Sequence, residues 1–371
     1  MNSNPPLKIA HIDTGLGLRG GQRQLLMLAQ GLRERGHDQT IVCLEGSDLE
    51  KALQQEGFPT FSLPGFDPWH AFGVVLWRQQ LKSWKPQIIH AHDGRGQSLA
   101  WFASLGLPLR RVASRRVTFF PSDPWTYRLK YSLTCHAVVA VSENIRELSV
   151  QAGAPRERIS VIPDGIEIPA ALPSPAERAL LRRAWNFTDD HFVVGLLGAS
   201  TLEKGHDVAL AAFNLLAEKL PQARLVIAGD ESTVDERKPI GNSASDSESI
   251  LRLGKVESLD MFFPGIDLFL MPSRSEGLGS SALWAMAYGV PVLASRVGGL
   301  PEIVIENQTG WLVPAGSPQA LSDAIIAAAA DRNLLARFSE QGRKRAEEFS
   351  AAIMVNNTEG LYYRLIDGKQ H

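Results

Sequence analysis

The run Pro272-Ser-Arg-Ser-Glu-Gly-Leu-Gly-Ser-Ser281 lies between an apolar segment, 267–271, and a second one, 282–288. Gly277 and Gly279 have no Cβ, so the backbone there can turn tightly and come close to a ligand. A helix starting just beyond them would offer free N–H groups and a positive dipole end, which suit a phosphate. Glu276 has the wrong charge to bind that phosphate. It suits the hydroxyls of a polyol beside it. A phosphate cradle with a carboxylate on the polyol side is the chemistry that a nucleotide sugar requires. The plainer alternative is a turn whose Glu276 only complements a helix dipole, and for an isolated Glu-Gly-x-Gly that reading is the better one.

Other constellations lie nearer the start. In Asp13-Thr-Gly-Leu-Gly-Leu-Arg-Gly-Gly-Gln22, residues Gly15, Gly17 and Gly20 spell Gly-x-Gly-x-x-Gly. Glu45 closes the next strand, as the ribose acid of a nicotinamide enzyme would. Its distance from the glycines exceeds the ~20 residues such a site uses. That reading also leaves Gly277 and Gly279 unexplained. His90-Ala-His-Asp93 could begin a metal site, but no further His or carboxylate motif accompanies it, and ordinary strand-end polar residues are the plain alternative. In Ser114-Arg-Arg-Val117, Arg115 or Arg116 could hold a donor phosphate or an anionic acceptor bidentately. A basic surface loop explains them equally well. Segment 109–131 holds Arg110, Arg111, Arg115, Arg116, Arg128 and Lys130 against the single acid Asp123, interleaved with Phe119, Phe120, Trp125, Tyr127 and Tyr131. Such a surface suits an anionic bilayer, with a part-core, part-solvated segment as the competing reading.

These residues need elements to hold them. Short apolar runs at 7–12, 39–44, 87–91, 111–113 and 137–141 read as strands. Helical spacing of Leu25, Leu26, Leu28, Ala29 and Leu32 marks a helix over 22–35, and 143–152 reads as another, with Ser142 as its cap. Segment 162–175 carries four prolines and no periodicity, which suggests a linker. The alternation restarts with strands at 192–197, 223–228, 267–271 and 291–294, and a helix at 207–219. Polar 231–249 reads as a surface loop. Helices are expected at 317–330, 333–349 and 351–365. Alternating strands and helices imply parallel sheets covered on both faces. Their ligands bind in loops beyond the carboxyl ends of the strands.

A chain of 371 residues with 44% hydrophobic and 21% charged residues fits two globular domains. A net charge of −2 selects neither nucleic acid nor anionic lipid globally. Cys43 and Cys135 read as buried hydrophobes in a reduced compartment. No signal peptide pattern and no run of ~18 apolar residues is present. The expected location is the cytoplasm, with peripheral contact at the inner face of the membrane as a further option.

The frame Phe269-Leu-Met-Pro-Ser-Arg-Ser-Glu-Gly-Leu-Gly, followed by Ala285-Met-Ala-Tyr-Gly-Val-Pro-Val-Leu-Ala-Ser-Arg-Val-Gly-Gly-Leu-Pro-Glu302, resembles the donor-site signature of glycosyltransferase family 4. The resemblance continues to Asn307-Gln-Thr-Gly-Trp-Leu-Val-Pro314 and extends over nearly the whole chain. It implies a GT-B fold: two doubly wound, Rossmann-like α/β domains facing across a cleft. The first domain, 1–165, would bind the acceptor, with the final helix of 350–371 packing back on it; 166–349 would bind a nucleotide sugar. By the same resemblance Glu276 contacts donor hydroxyls, and Gly277, Leu278, Gly279 and Ser280 surround the donor. The ribose acid of the family's Glu-x7-Glu is replaced by Trp284. In Gly198-Ala-Ser-Thr-Leu-Glu-Lys-Gly205, Lys204 matches a diphosphate-neutralising lysine, and Ala199 stands where relatives carry arginine. A fixed cation there would stabilise the departing diphosphate. Gly20 and Gly21 match the family's Gly-Gly before its first long helix. His92 and Asp93, with Arg115 and Arg116, become cleft or acceptor residues.

The implied reaction is retaining transfer of a sugar to a glycan or lipid-linked acceptor in envelope polysaccharide or lipopolysaccharide synthesis. It would use no metal and no cofactor beyond the nucleotide-sugar donor, and no nucleic acid. An NAD-dependent dehydrogenase, a nucleotide-sugar epimerase or phosphorylase of the same fold, and a non-catalytic nucleotide-sugar-binding module remain as alternatives.

Overall fold

The computed structural model describes residues 4–64, 67–119, 124–229 and 249–368. The chain divides into two compact units, residues 1–165 together with 351–371, and residues 166–350.

The first unit is built on seven parallel strands: β1 (Lys8–Ile12), β2 (Asp38–Leu44), β3 (Thr60–Leu63), β4 (Ile88–Ala91), β5 (Arg110–Arg115), β6 (Ala137–Ala140) and β7 (Ile159–Val161). Their order is β3-β2-β1-β4-β5-β6-β7. The chain thus winds one way from β1 and then the other, opening a crevice beyond the carboxyl ends of β1 and β4. Ile9, Ala10, Ile41, Val42, Ile88 and Ile89 are wholly buried, because helices cover both faces of the sheet. This is why these strands read as continuous apolar runs instead of alternating ones. The register sets His11 opposite His90.

The helix Ala351–Ile366, last in the chain, is part of this unit. It buries Met354, Val355, Leu361, Tyr362 and Leu365 against Leu7, Ile9, Leu28, Leu32 and Ile88. Gly31 lets it lie close: a Cβ there would stand 2.6 Å from Val355 Cγ2. Glu359 accepts hydrogen bonds from Arg35 and, at 2.9 Å, from His37.

The second unit repeats the plan with six parallel strands: β8 (Phe192–Leu197), β9 (Ala223–Ala228), β10 (Ile250–Gly254), β11 (Leu268–Met271), β12 (Val292–Ser295) and β13 (Gly310–Val313). Their order is β10-β9-β8-β11-β12-β13, again reversing beside the first strand of the unit. Its core joins Val194, Leu196, Leu225 and Leu270 to Ala209, Ala212, Leu321 and Ile325 on the covering helices.

Several elements differ from the sequence reading. The helix expected at 22–35 begins at Gly20, because the Arg19 N–H donates to the Gln22 side chain at 3.1 Å and closes a capping box. Gly20 and Gly21 are therefore the first helical residues. The proline-rich linker ends earlier than expected: Pro175 opens the helix Pro175–Ala184, whose first turn is closed by a Ser174–Glu177 capping box. The helices Asp48–Gln55, Asp67–Trp84, Gly94–Ser104 and Pro124–Thr134 carry the chain between strands of the first sheet. Residues 231–248 of the expected polar loop lie outside the described residues; Ser249 is in a turn.

Candidate functional site

Glu276 and Lys204 stand together at the carboxyl edge of the second sheet. Lys204 follows β8, on the short turn Leu202–Lys204, and Glu276 follows β11. Lys204 Nζ donates to Glu276 Oε2 at 2.8 Å, and Ser273 Oγ approaches the same oxygen at 3.3 Å. The Lys204 stem runs past Gly198, where a Cβ would lie 3.7 Å from Lys204 Cδ. Arg274 locks the two loops to each other. Its guanidinium grips both oxygens of Asp207 at 2.7 Å, its Nη1 donates to the Leu202 carbonyl at 2.9 Å, and its backbone N–H donates to the Glu203 carbonyl at 2.7 Å. The bidentate pair holds the Asp207 carboxyl below the usual carboxylate range. Arg274 and Asp207 escaped the sequence reading, since nothing local signals a pair 67 residues apart.

The glycines of the motif do different work. Gly279 is the N-cap of the helix Ser280–Ala287 at φ +104°, a left-handed conformation that a residue with Cβ resists. Having no side chain, it leaves the first helical N–H groups uncapped, and no acid sits in the first turn. That helix end is suited to an anion. Leu278 is buried at its side chain, whereas Ser280 and Ser281 are partly exposed. Gly298 brings the neighbouring loop against Glu276: a Cβ at Gly298 would meet the Glu276 carbonyl oxygen at 1.8 Å. Beside Lys204, His206 is buried and neither ring nitrogen has a partner among the described residues. Burial lowers its pKa to about 4, so it adds no charge to the site at neutral pH.

The first unit gathers a second polar group at its own switch point. His11, His90 and His92 bring ring nitrogens within 4.8 Å of one another, all buried. This corrects the expectation that His90 and His92 lack a further histidine: His11 supplies it from the adjacent strand. The nitrogens are nonetheless engaged. His11 bonds His92 at 3.1 Å and Gln39 at 3.2 Å, and His90 bonds Tyr362 at 2.6 Å and Ser114 at 2.8 Å. Only His92 Nδ1 lacks a partner. Burial pushes all three pKa values down, that of His11 to about 4. The trio is a neutral hydrogen-bonded network, with the Arg116 charge further opposing protonation of His90 and His92.

Asp93 caps the helix Gly94–Ser104, accepting from the N–H groups of Arg95 and Gly96 at 2.8 Å. It also takes the Thr14 N–H at 2.6 Å and its hydroxyl at 2.9 Å. Its carboxylate is thereby committed to joining two loops. Arg116 donates through Nε to Asp164 at 2.9 Å, and its Cδ lies 4.0 Å from a Cβ built on Gly21. Arg115 donates to the Phe119 carbonyl. The site residues thus form two groups, each at the carboxyl edge of its own sheet. One is Lys204, Glu276 and 277–280; the other is Gly20, Gly21, His92, Asp93, Arg115 and Arg116.

Residues 177–345 match the family described as glycosyl transferases group 1, and residues 18–168 match glycosyltransferase family 4. The chain belongs to this family of GT-B glycosyltransferases. A GDP-mannose-dependent α-(1-6)-phosphatidylinositol monomannoside mannosyltransferase of Mycolicibacterium smegmatis is 28% identical over 88% of this chain and 90% of its own. A D-inositol 3-phosphate glycosyltransferase of Segniliparus rotundus is 27% identical over 72% of this chain and 64% of its own. The chain spans between 46% and 64% of the length of the first four curated relatives it matches. Anabaena HepE, crystallised with UDP, superposes with a TM-score of 0.85 at 21% identity, covering 96% of this chain and all of its own. Family membership replaces the nicotinamide reading of Gly15, Gly17 and Gly20.

Proposed function

We propose that the protein transfers a glycosyl group, with retention and without a metal, from a nucleoside diphosphate sugar to a glycan or lipid-linked acceptor of the cell envelope. The observation that carries this reading is the Lys204–Glu276 pair, at 2.8 Å, beside the uncapped start of the helix Ser280–Ala287. The diphosphate lies against that helix end. As the glycosidic bond breaks, negative charge collects on the leaving phosphate, and Lys204 and the helix N–H groups oppose it. Glu276 accepts from hydroxyls of the departing sugar and keeps Lys204 in place between turnovers. The acceptor binds the first unit, near Arg116 and the start of the helix Gly20–Glu34. A lipid-linked acceptor is supported by the phosphatidylinositol-linked substrate of the Mycolicibacterium relative. Lys204→Ala and Glu276→Gln should each lower transfer from the preferred donor about 10²-fold. Chelation with EDTA should leave the rate unchanged. Variants that turn over like the parent would remove this site from the chemistry.

Contact with an anionic membrane rests on the described residues of 102–133. Phe102, Val117, Phe119 and Leu133 are more than half exposed there, with Arg128 exposed nearby. Tyr131 is buried, and Arg111 and Lys130 donate to the Thr134 and Gly94 carbonyls, so these three contribute less than their sequence positions suggested. Phe120 and the side chains of Trp125 and Tyr127 lie outside the described residues. Co-sedimentation with phosphatidylglycerol vesicles should occur and be lost when Arg110 and Arg128 become Glu. Binding that ignores both lipid charge and these substitutions would refute it.

A further inference from the structure

The helix Ser280–Ala287 has one open face. Ala282, Leu283, Ala285, Met286 and Ala287 are buried, while Ser280, Ser281 and Trp284 remain partly exposed. Ser280 and Trp284 are four residues apart, so they lie one above the other on that face. Among the described residues the Trp284 indole N–H has no hydrogen-bond partner, and no aromatic ring packs against the indole. A large, flat side chain that keeps part of its surface open in this way is placed to receive a ligand face.

On the donor reading above, the order of groups along this site is set. Glu276 meets the sugar, the helix start meets the diphosphate, and the nucleoside continues along the open face toward Trp284. Two chemistries can hold a nucleoside there. A carboxylate can accept from both ribose hydroxyls at once, one oxygen to each, which makes binding depend on the 2′-hydroxyl. An aromatic side chain can instead stack on a flat face, which is indifferent to that hydroxyl. The helix carries no acid at any position. Glu302 belongs to a separate helix, Leu300–Ile303, beyond β12.

We propose that Trp284 is a specificity-determining residue that holds the donor nucleoside by stacking, so that 2′-deoxynucleoside diphosphate sugars serve as donors on equal terms with ribonucleoside ones. The class of donor is thereby widened to include thymidine diphosphate sugars, which lack the 2′-hydroxyl by nature. The discrimination that remains is by the base and the sugar.

The experiment is isothermal calorimetry on the full chain with paired nucleotides: UDP against 2′-deoxy-UDP, GDP against 2′-deoxy-GDP, ADP against 2′-deoxy-ADP, and thymidine diphosphate. For the base that binds best, the ribo and deoxy forms should differ by less than about threefold. Trp284→Ala should weaken both by about tenfold, and Trp284→Phe should recover most of the loss. Trp284→Glu should create a preference for the ribo form of about tenfold. A parent protein that prefers ribonucleotides by more than about tenfold, through Glu302 or any other acceptor, overturns the proposal. So does unchanged binding in Trp284→Ala while Lys204→Ala abolishes it; that outcome leaves the donor site standing and removes only the role of Trp284. Failure of every nucleotide to bind would remove the donor reading itself.

Discussion

Acidification should unfold the first unit through its three buried histidines. His11 is wholly buried, and its pKa falls from 6.5 to about 4 because burial disfavours the charged ring. A folded pKa below the unfolded one means that the unfolded chain binds more protons. Stability is therefore unaffected above about pH 6.5 and is lost as the pH drops from there toward 4. The gap for His11 amounts to about 3 kcal/mol at the low end of that window. His90 and His92 shift in the same direction, first through burial and then through their histidine neighbours and Arg116. If all three stay neutral, the slope approaches about 4 kcal/mol per pH unit, against a total domain stability of roughly 5–15 kcal/mol. The unit should then lose stability as the pH falls from about 6.5 toward 4. Hydrogen-exchange mass spectrometry, followed on peptides spanning β1 and β4, reads this unit separately from β8 and β11. His11→Gln should flatten the pH dependence. Protection that stays constant between about pH 7 and 5, or an equally steep loss in His11→Gln, would refute the reasoning.

Two further perturbations probe the second unit. Gly298→Ala puts a methyl 1.8 Å from the Glu276 carbonyl oxygen at φ +55°, so it should displace the Glu276 loop. Transfer should fall by at least about tenfold while circular dichroism still reports a folded chain. Asp267 accepts from Arg178, from Arg182 at 2.5 Å and from the Val193 N–H at 2.7 Å. Asp267→Ala leaves the buried Arg182 guanidinium without its counter-charge and should cost about 3–5 kcal/mol in urea unfolding.

The strands that read most clearly from sequence were those buried on both faces, since continuous apolar runs need no knowledge of their neighbours. The boundary errors had local causes: a Gln22 side chain that starts a helix two residues early, and a Ser174–Glu177 capping box that turns the end of a linker into a helix. The strand Thr60–Leu63 was passed over because it is short and only Leu63 in it is buried. Within the donor group, Glu276 and Lys204 were legible because each sits in a motif with its own glycines. Arg274 and Asp207 were not, because their meaning lies in a contact across loops. His11 shows the same limit. Within the strand 7–12 it drew no notice, and only the parallel register with β4 brings it to His90 and His92.

The helix Ala351–Ile366 closes the unit that the chain began, so the first unit is interrupted by the whole of the second. The hydrogen bond between His90 and Tyr362 spans 272 residues. During synthesis at about 5–20 residues per second, the amino-terminal sheet must wait roughly 10–40 s, without its final covering helix, while the intervening segment is made. Through that interval its apolar flank at Leu7, Ile9 and Leu28 has no cover from the end of the chain. A nascent chain that stalls before residue 351 therefore carries a sticky, open sheet, and it is the arrival of the helix Ala351–Ile366 that seals it.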